Sequence, residues 1–314
     1  MTLHQLPAQL LPAPFRSGRR SPAWRIALTV AVAATATVGL THPAAARPGG
    51  THGPATDNSA PGARYVALGD SYSSGLGIPD EVDLNCGRSN HNYASLVARA
   101  VHAETFTDVT CAGAETRHLT ERQESAPPQL DALRPNTSLV TLGIGGNDLG
   151  LSGIVTRCVL LAQVDANGAP CKTSYTLLGQ DEIRRRINTI APRIDALLKD
   201  IHARSPQAEV LLVGYPAIVP DDGSACRDLI PFATGDFPWF RDKAKQLNSM
   251  LAQQANVYDA TYIDAYGPSA GHDACKPAGE RWVEPEATDS AAGFHPNAAG
   301  HASVARSVLT ALGR

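Results

Sequence analysis

The first 46 residues contain no acidic side chain, although the full chain of 314 residues has 30. They contain four arginines, then an apolar run at 26–40, and then the small residues of 43–46. The run is too short for a typical transmembrane helix, and this order of segments is typical of a secretory signal peptide. We therefore expect a secreted protein with a signal peptide at 1–46, cleaved near Ala46. The Arg19-Arg20 pair suggests the twin-arginine export route, but the residues after it match that pattern poorly, so the general and the twin-arginine routes both stay open. An N-terminal membrane anchor is the alternative.

The rest of the chain has no excess of positive charge. Four of the 27 basic residues and none of the 30 acidic ones lie in 1–46, so 47–314 has 23 basic against 30 acidic residues, a net charge of −7. Binding to nucleic acid or to an anionic membrane surface requires a basic face. The charge balance therefore argues against both kinds of partner.

A second long apolar run and an internal repeat are also missing after residue 46. Residues 47–62 have no periodic apolar pattern, and we interpret them as a flexible leader. The length of 47–314 is enough for one large α/β domain with a buried core, which we place at 63–314. We expect this domain to be a monomer without a permanent membrane anchor.

The six cysteines include no Cys-x-x-Cys pair. Structural zinc sites usually contain such pairs, so we expect no metal. All six cysteines follow residue 46, and an even number in an exported chain indicates disulfides rather than catalytic thiols. Six cysteines allow fifteen pairings.

Five apolar segments predict strands that alternate with helices. The strands are expected at 64–68, 105–111, 138–144, 208–214 and 260–265, and the helices at 91–103, 181–204, 239–258 and 297–312. Such alternation of nearly all-apolar strands with helices indicates a parallel sheet covered on both faces. In these folds ligands bind at the carboxyl ends of the strands.

Three predicted strands end in glycine and small polar residues, which let a ligand approach the backbone closely. The residues at these ends are Gly69-Asp70-Ser71, Ala112-Gly113-Ala114 and Gly145-Gly146-Asn147-Asp148. Acyl transfer needs a nucleophile, a base and donors for the developing oxyanion. Ser71 is the candidate nucleophile, and its own N–H, the N–H of Gly113 and the side-chain amide of Asn147 are the candidate donors. Ordinary turns, with Asp70 and Ser71 capping the next helix, are the alternative.

A histidine is the expected base, and eight histidines follow residue 46. His295 lies directly before Pro296 and the last predicted helix, and the proline fixes the chain where that helix begins. The histidines at 91, 102, 202 and 301 fall on predicted helices, where a solvated or core position is more common. We therefore favour His295 as the base.

Together these motifs resemble the four sequence blocks of the GDSL/SGNH hydrolase family, in order and over nearly all of 47–314. The form Gly69-Asp70-Ser71-Tyr72-Ser73-Ser74-Gly75 and the six cysteines resemble its secreted actinobacterial lipase/esterase branch. The resemblance implies a flavodoxin-like three-layer α/β/α sandwich with a central five-stranded parallel sheet, and ester hydrolysis without a cofactor. It implies Ser71 as nucleophile, His295 as base, and Gly113 and Asn147 as oxyanion donors. It also supports sequential disulfides, namely Cys86–Cys111, Cys158–Cys171 and Cys226–Cys275.

The sequence departs from the family pattern at one position. The family usually has an aspartate three residues before the histidine, and that position is Ala292 here. Some members of the secreted branch orient the histidine with a main-chain carbonyl. We therefore expect the carbonyl of Ala292, or a neighbouring one, to accept the Nδ1 proton of His295. The side chain of Asp289 is the alternative.

Two apolar stretches are candidates for a substrate trough near Ser71. The first contains Leu149, Leu151, Ile154 and Val155, and the second, at 229–240, contains four aromatic residues. Such a trough favours fatty-acyl esters and a lipase or esterase, although core or lid packing explains the same residues equally well. Phospholipids and acetylated glycans are alternative substrates within the family. An exported binding protein without catalysis, or a secreted serine peptidase, is the alternative outside it.

Overall fold

A computed structural model describes residues 62–314. The predicted signal peptide, and all but the last residue of the predicted leader, lie outside the described residues. Within 62–314, no helix is long and apolar enough to cross a membrane.

The strands are β1 (Arg64–Gly69), β2 (Glu81–Asp83), β3 (Arg88–Ser89), β4 (Thr105–Asp108), β5 (Leu139–Gly143), β6 (Glu209–Val213) and β7 (Thr261–Ile263). The helices are α1 (Ser71–Ser74), α2 (Tyr93–Ala100), α3 (Gly146–Leu149), α4 (Leu151–Ala162), α5 (Pro170–Tyr175), α6 (Glu182–Arg204), α7 (Asp236–Val257), α8 (Tyr266–Ser269) and α9 (Ala298–Ala311). Five strands form one parallel sheet in the order β4-β1-β5-β6-β7, while β2 and β3 form a separate antiparallel pair.

The central strands are apolar on both faces because helices cover both faces of the sheet. Successive side chains of a strand point to opposite faces. Val66 and Leu68 of β1 accordingly pack in the core on the side of α6 and α7. Tyr65 and Ala67 pack on the other side, with α2 and α9. The predicted three-layer α/β/α sandwich with five parallel strands is confirmed.

Two segments differ from the sequence prediction. Residues 76–90, for which we predicted no strand, contain the antiparallel pair of β2 and β3. The segment 151–175, for which we predicted no helix, contains α4 and α5. The structure joins Cys158 of α4 to Cys171 of α5 by a disulfide. The other two disulfides, Cys86–Cys111 and Cys226–Cys275, complete the sequential pairing.

Candidate active site

Ser71 lies at the carboxyl end of β1, at the point where the chain turns into α1. Gly69 has a φ of 146°, and a Cβ there would lie 2.5 Å from the carbonyl oxygen of Gly143, so the turn requires glycine. Asp70 then caps α1, because its Oδ1 accepts the N–H of Tyr72 at 2.9 Å. The next strand, β5, holds the same turn through a hydrogen bond from Asp70 N–H to Gly143 O at 2.9 Å. The contacts of Asp70 with α1 and with β5 thereby fix the backbone next to Ser71, and 6 % of the surface of Ser71 is exposed.

His295 lies within hydrogen-bonding distance of Ser71, with 2.8 Å between Nε2 and the serine Oγ. The other ring nitrogen, Nδ1, is 2.7 Å from the carbonyl oxygen of Gly293. A carbonyl only accepts hydrogen bonds, so Nδ1 carries the proton in the neutral ring and Nε2 is free to accept the serine hydroxyl proton. The serine hydroxyl and the imidazole are therefore close enough for a proton to pass from Oγ to Nε2.

The carbonyl that contacts the imidazole is that of Gly293, so a carbonyl next to Ala292, as the expectation allowed, takes this position instead of that of Ala292 itself. The Ala292 carbonyl accepts the backbone N–H of His295 at 3.2 Å, which closes a tight turn and directs this oxygen to the main chain. The next carbonyl along the turn faces the ring instead. Asp289 is exposed, and within residues 62–314 its carboxylate makes no hydrogen bond to His295.

The environment of His295 favours the neutral imidazole. Burial lowers its pKa, because a buried charge loses hydration, and the hydrogen bond to Gly293 O opposes this shift in part. The ring of Tyr72 lies against the imidazole with the centroids 4.8 Å apart. The Tyr72 hydroxyl donates a hydrogen bond to the carbonyl of Phe294 at 2.5 Å, so α1 also holds the turn that carries the histidine.

Gly113 and Asn147 line the same cavity as Ser71. Asn147 Nδ2 donates one hydrogen bond to Ala114 O at 2.9 Å, which leaves its second amide proton for a ligand. In the described part of the chain, no protein atom accepts the N–H of Ser71 or of Gly113. Three free donors thus lie in the lining of the cavity that contains the serine.

Tyr215 is a site residue that sequence reasoning missed. Its hydroxyl donates to Asp70 Oδ2 at 2.6 Å and accepts the N–H of Gly146 at 2.7 Å. It thereby joins the residue before Ser71 to the residue before Asn147. The sequence did contain one signal for Tyr215, namely its position. Tyr215 directly follows the predicted strand at 208–214, so it lies at the same edge of the sheet as Ser71 and Asn147.

The carboxyl group of Asp70 is buried among these contacts, with 1 % of the residue exposed. Burial is the main reason that its pKa rises to about 7, while the hydrogen bonds from Tyr215 and Tyr72 oppose the rise. Asp70 is the buried carboxyl group beside Ser71, and it orients the serine turn rather than the histidine.

The cavity above Ser71 has a volume of about 320 Å³ and mainly apolar walls, formed by Leu76, Leu151, Val155 and Phe294. Leu151 and Val155 come from the first predicted trough stretch, whereas Leu149 and Ile154 of that stretch are buried. The four aromatic residues of the second stretch are Phe232, Phe237, Trp239 and Phe240, and all are buried in the core. Core packing therefore explains these four side chains, none of which lines the cavity above Ser71. Among residues 62–314, no group of three or more His, Cys, Asp or Glu side chains is placed to hold a metal ion.

Comparison with known proteins agrees with this arrangement. The GDSL-like lipase/acylhydrolase family matches residues 67–303. "Lipase 2" of Streptomyces coelicolor is 39% identical over 301 residues, which cover 93% of this chain and 98% of the relative. The crystal structure of phospholipase A1 from Streptomyces albidoflavus superposes with a TM-score of 0.66 at 30% identity, covering 80% of this chain and 99% of that one. The extracellular lipase of Streptomyces rimosus gives a TM-score of 0.62 at 27% identity, with coverage of 79% and 99%. The chain belongs to the GDSL-like lipase/acylhydrolase family and is a carboxylic ester hydrolase.

Proposed function

We propose that this enzyme hydrolyses fatty-acyl esters through an acyl-enzyme on Ser71, with His295 as the base. The observation that carries the proposal is the 2.8 Å contact between Ser71 Oγ and His295 Nε2, at the floor of a cavity with apolar walls. The free donors of Ser71, Gly113 and Asn147 support it, because they line the space beside the nucleophile.

In the first step, His295 Nε2 accepts the hydroxyl proton of Ser71 while Oγ forms a bond to the ester carbonyl carbon. The carbonyl oxygen becomes an oxyanion, which accepts hydrogen bonds from the N–H groups of Ser71 and Gly113 and from the amide of Asn147. The bond to the alcohol oxygen then breaks, and His295 returns the proton to that oxygen. An acyl-enzyme and a free alcohol result.

In the second step, water takes the place of the alcohol. His295 accepts a proton from the water as its oxygen attacks the acyl carbon, and the same donors hold the second oxyanion. The bond from the acyl carbon to Ser71 Oγ breaks, and His295 returns the proton to the serine. The Gly293 carbonyl supports both steps, since it accepts a hydrogen bond from Nδ1–H while the ring is charged.

Labelling with a fluorophosphonate probe tests the proposed nucleophile. We expect the wild type to be labelled on Ser71 and Ser71→Ala to remain unlabelled. Ser152→Ala is the matched control, because Ser152 is exposed and lines the same cavity. Loss of labelling in Ser152→Ala but not in Ser71→Ala, or an unlabelled wild type, would overturn the assignment.

The substrate class rests on the apolar walls of the cavity and on the relatives named lipase. Rates on acetyl, butyryl, octanoyl and palmitoyl esters test it, and we expect the longer acyl esters to be preferred. A phospholipid belongs in the same series, because one structural relative is named phospholipase A1. A preference for an acetylated glycan over every fatty-acyl ester would contradict the proposal.

We further propose that the enzyme is exported and acts as a monomer after removal of 1–46. The three disulfides support export, because disulfides persist in oxidising compartments. The amino-terminal sequence of the exported protein should begin within a few residues of Arg47. An exported protein that retains its original amino terminus would contradict this part of the proposal.

A further inference from the structure

We propose that Asp148 is a positioning residue, whose carboxylate sets the distance between the two proposed oxyanion donors Gly113 and Asn147. This inference rests on the proposed function, in which both donors bind the oxyanion that forms at Ser71. Asp148 directly follows Asn147 in α3. Asn147 lines the cavity above Ser71 and Asp148 does not, so Asp148 acts through its neighbours and not on the substrate.

The carboxylate of Asp148 is fully buried, with 0 % of its side chain exposed. Thr116 donates to it twice, through its backbone N–H to Oδ2 at 2.8 Å and through its hydroxyl to Oδ1 at 2.5 Å. Burial of a carboxylate is unfavourable unless its oxygens accept hydrogen bonds, and hydrogen bonds to a charged group are the stronger ones. The contact between Asp148 and Thr116 therefore holds the two residues in a fixed relation.

A second contact joins α3 to the same loop. Gly113 and Thr116 both lie in the loop at 112–116, and Asn147 Nδ2 donates to Ala114 O of this loop at 2.9 Å. Two consecutive residues of α3 thus bind two residues that follow Gly113. Gly113 has no side chain that could fix its position, so the direction of its N–H depends on how its neighbours in the loop are held.

Other contacts of the loop and of Asp148 do less to set this distance. Ala112, at the start of the loop, accepts a hydrogen bond from Gln123 Nε2 at 2.7 Å, but Gln123 is not part of α3. Arg193 of α6 donates to Asp148 Oδ1 at 3.0 Å, and 52 % of the Arg193 side chain is exposed. Solvent and salt weaken an exposed ion pair. Asp148 and Thr116 thus form a hydrogen-bonded link between the loop and α3 that uses neither proposed donor.

This link concerns the rate of reaction more than the binding of the substrate. The oxyanion forms only as Ser71 Oγ bonds to the carbonyl carbon, and a donor stabilises it at a distance of about 2.7–3.1 Å. An interaction that is made only in the transition state changes kcat and leaves KM nearly unchanged. A displacement of Gly113 relative to Asn147 should therefore lower kcat, while the apolar walls of the cavity are not altered.

Asp148→Asn tests the proposal with little change in side-chain shape. An amide has one acceptor oxygen where a carboxylate has two, so Thr116 loses one of its two contacts. We expect kcat on a butyryl ester to fall about tenfold, since a displacement of about 1 Å costs about 100-fold and this one is smaller, and KM to change less than about twofold. Asp236→Asn is the matched control. Asp236 is also fully buried and its carboxylate accepts two backbone N–H groups, but it lies outside the cavity lining, so kcat should not change.

Two variants of Thr116 test the same link from the loop side. Thr116→Val removes the hydroxyl and keeps the N–H, so kcat should fall severalfold, whereas Thr116→Ser keeps both donors and should retain the kcat of the wild type. An unchanged kcat in both Asp148→Asn and Thr116→Val, or an equal fall in Asp236→Asn, would overturn the positioning role alone. A wild type that hydrolyses no acyl ester would overturn the proposed function together with it.

Discussion

The two members of the proposed catalytic pair are held in place by different means. Ser71 follows a buried carboxyl group, Asp70, whose oxygens accept hydrogen bonds from the Tyr215 hydroxyl and from the N–H of Tyr72. His295 lies in a turn, and its imidazole Nδ1 is held by a main-chain oxygen, that of Gly293. The side-chain network is therefore on the serine side, and the histidine side depends on the backbone.

This difference determines how each side can be disrupted. A side-chain hydrogen bond disappears when one atom is removed by substitution, whereas a carbonyl remains in every variant of Gly293. The histidine side is therefore sensitive to changes in the shape of the turn, and the serine side to the loss of a hydroxyl or carboxyl group. Tyr72 connects the two sides, because its ring contacts the imidazole and its hydroxyl holds Phe294 O.

Among substitutions that leave Ser71 and His295 in place, the largest effect is expected from Gly293→Ala, which changes the histidine side. A Cβ at this position would lie 3.0 Å from the main-chain carbon of Glu286, so the backbone here has to give by a few tenths of an ångström, and we expect this to displace the carbonyl from Nδ1. We expect kcat to fall by more than about tenfold, since a displacement of about 1 Å costs about 100-fold and this one is smaller. The measurement is steady-state kinetics on a butyryl ester.

Gly153→Ala is the control for this substitution. Gly153 lies in α4, and a Cβ there would meet no atom within 4 Å. Its kcat should be unchanged, and its helix slightly more stable, because alanine favours helix more than glycine does. An equal kcat in Gly293→Ala and Gly153→Ala would contradict the proposed role of the turn.

A smaller effect is expected from Tyr215→Phe, which disrupts the serine side. The substitution leaves Asp70 Oδ2 without its donor and the N–H of Gly146 without its acceptor, both in buried positions. We expect the free energy of unfolding to fall by about 2 kcal/mol and kcat to fall about tenfold. Denaturant unfolding and steady-state kinetics measure the two effects.

Tyr65→Phe separates these two effects. The Tyr65 hydroxyl is also buried, and it contacts Thr141 Oγ1 at 2.8 Å on the sheet face covered by α2 and α9. Its loss should lower stability by about 1 kcal/mol without a change in kcat. A similar fall of kcat in Tyr65→Phe would mean that general destabilisation, and not the Tyr215 contacts, explains the kinetics.

The serine side and the histidine side also differ in their expected pH dependence, which concerns the free energy of unfolding for Asp70 and the rate for His295. The pKa of Asp70 is about 7 in the folded protein, against 3.8 for an ordinary aspartate. Between these values the folded state binds a proton that the unfolded state has lost, so this group makes the protein less stable as the pH rises from about 4 to 7. Asp70→Asn should remove that part of the slope, as measured by denaturant unfolding at several pH values. Parallel slopes for the two proteins would contradict the buried carboxyl.

For His295 the expected pH dependence concerns the rate, and kcat/KM should rise with pH, whereas the stability contribution of Asp70 falls. Its pKa is lowered, so the neutral base persists to a lower pH than for an ordinary histidine. The acid limb of the kcat/KM profile should therefore lie below about pH 6.5. A limb above that value would contradict the buried, neutral imidazole.

The sheet and most proposed site residues could be predicted from the sequence because their signals are local. Apolar strands that end in glycine and small polar residues placed Ser71, Gly113 and Asn147 at one edge. His295 was distinguished by the proline that follows it and by the helix start.

The residues that sequence reasoning missed depend on contacts across the fold. Tyr215 and its partner Asp70 are 145 positions apart, so no local pattern relates them. Which carbonyl faces the imidazole depends on the turn at 292–295, and so Ala292 was expected where Gly293 is found. Helix α4 was not predicted because its apolar residues were attributed to a substrate trough and because Gly153 lies between them. The helix does form part of the cavity wall above Ser71.

The central claim is that His295 acts on Ser71 with main-chain support and without a carboxylate partner. The most direct test compares kcat/KM for His295→Ala and Asp289→Asn with the wild type on one acyl ester. We expect a loss of about 1,000-fold or more for His295→Ala and a change of less than about twofold for Asp289→Asn. A loss in Asp289→Asn as large as that in His295→Ala would contradict the account.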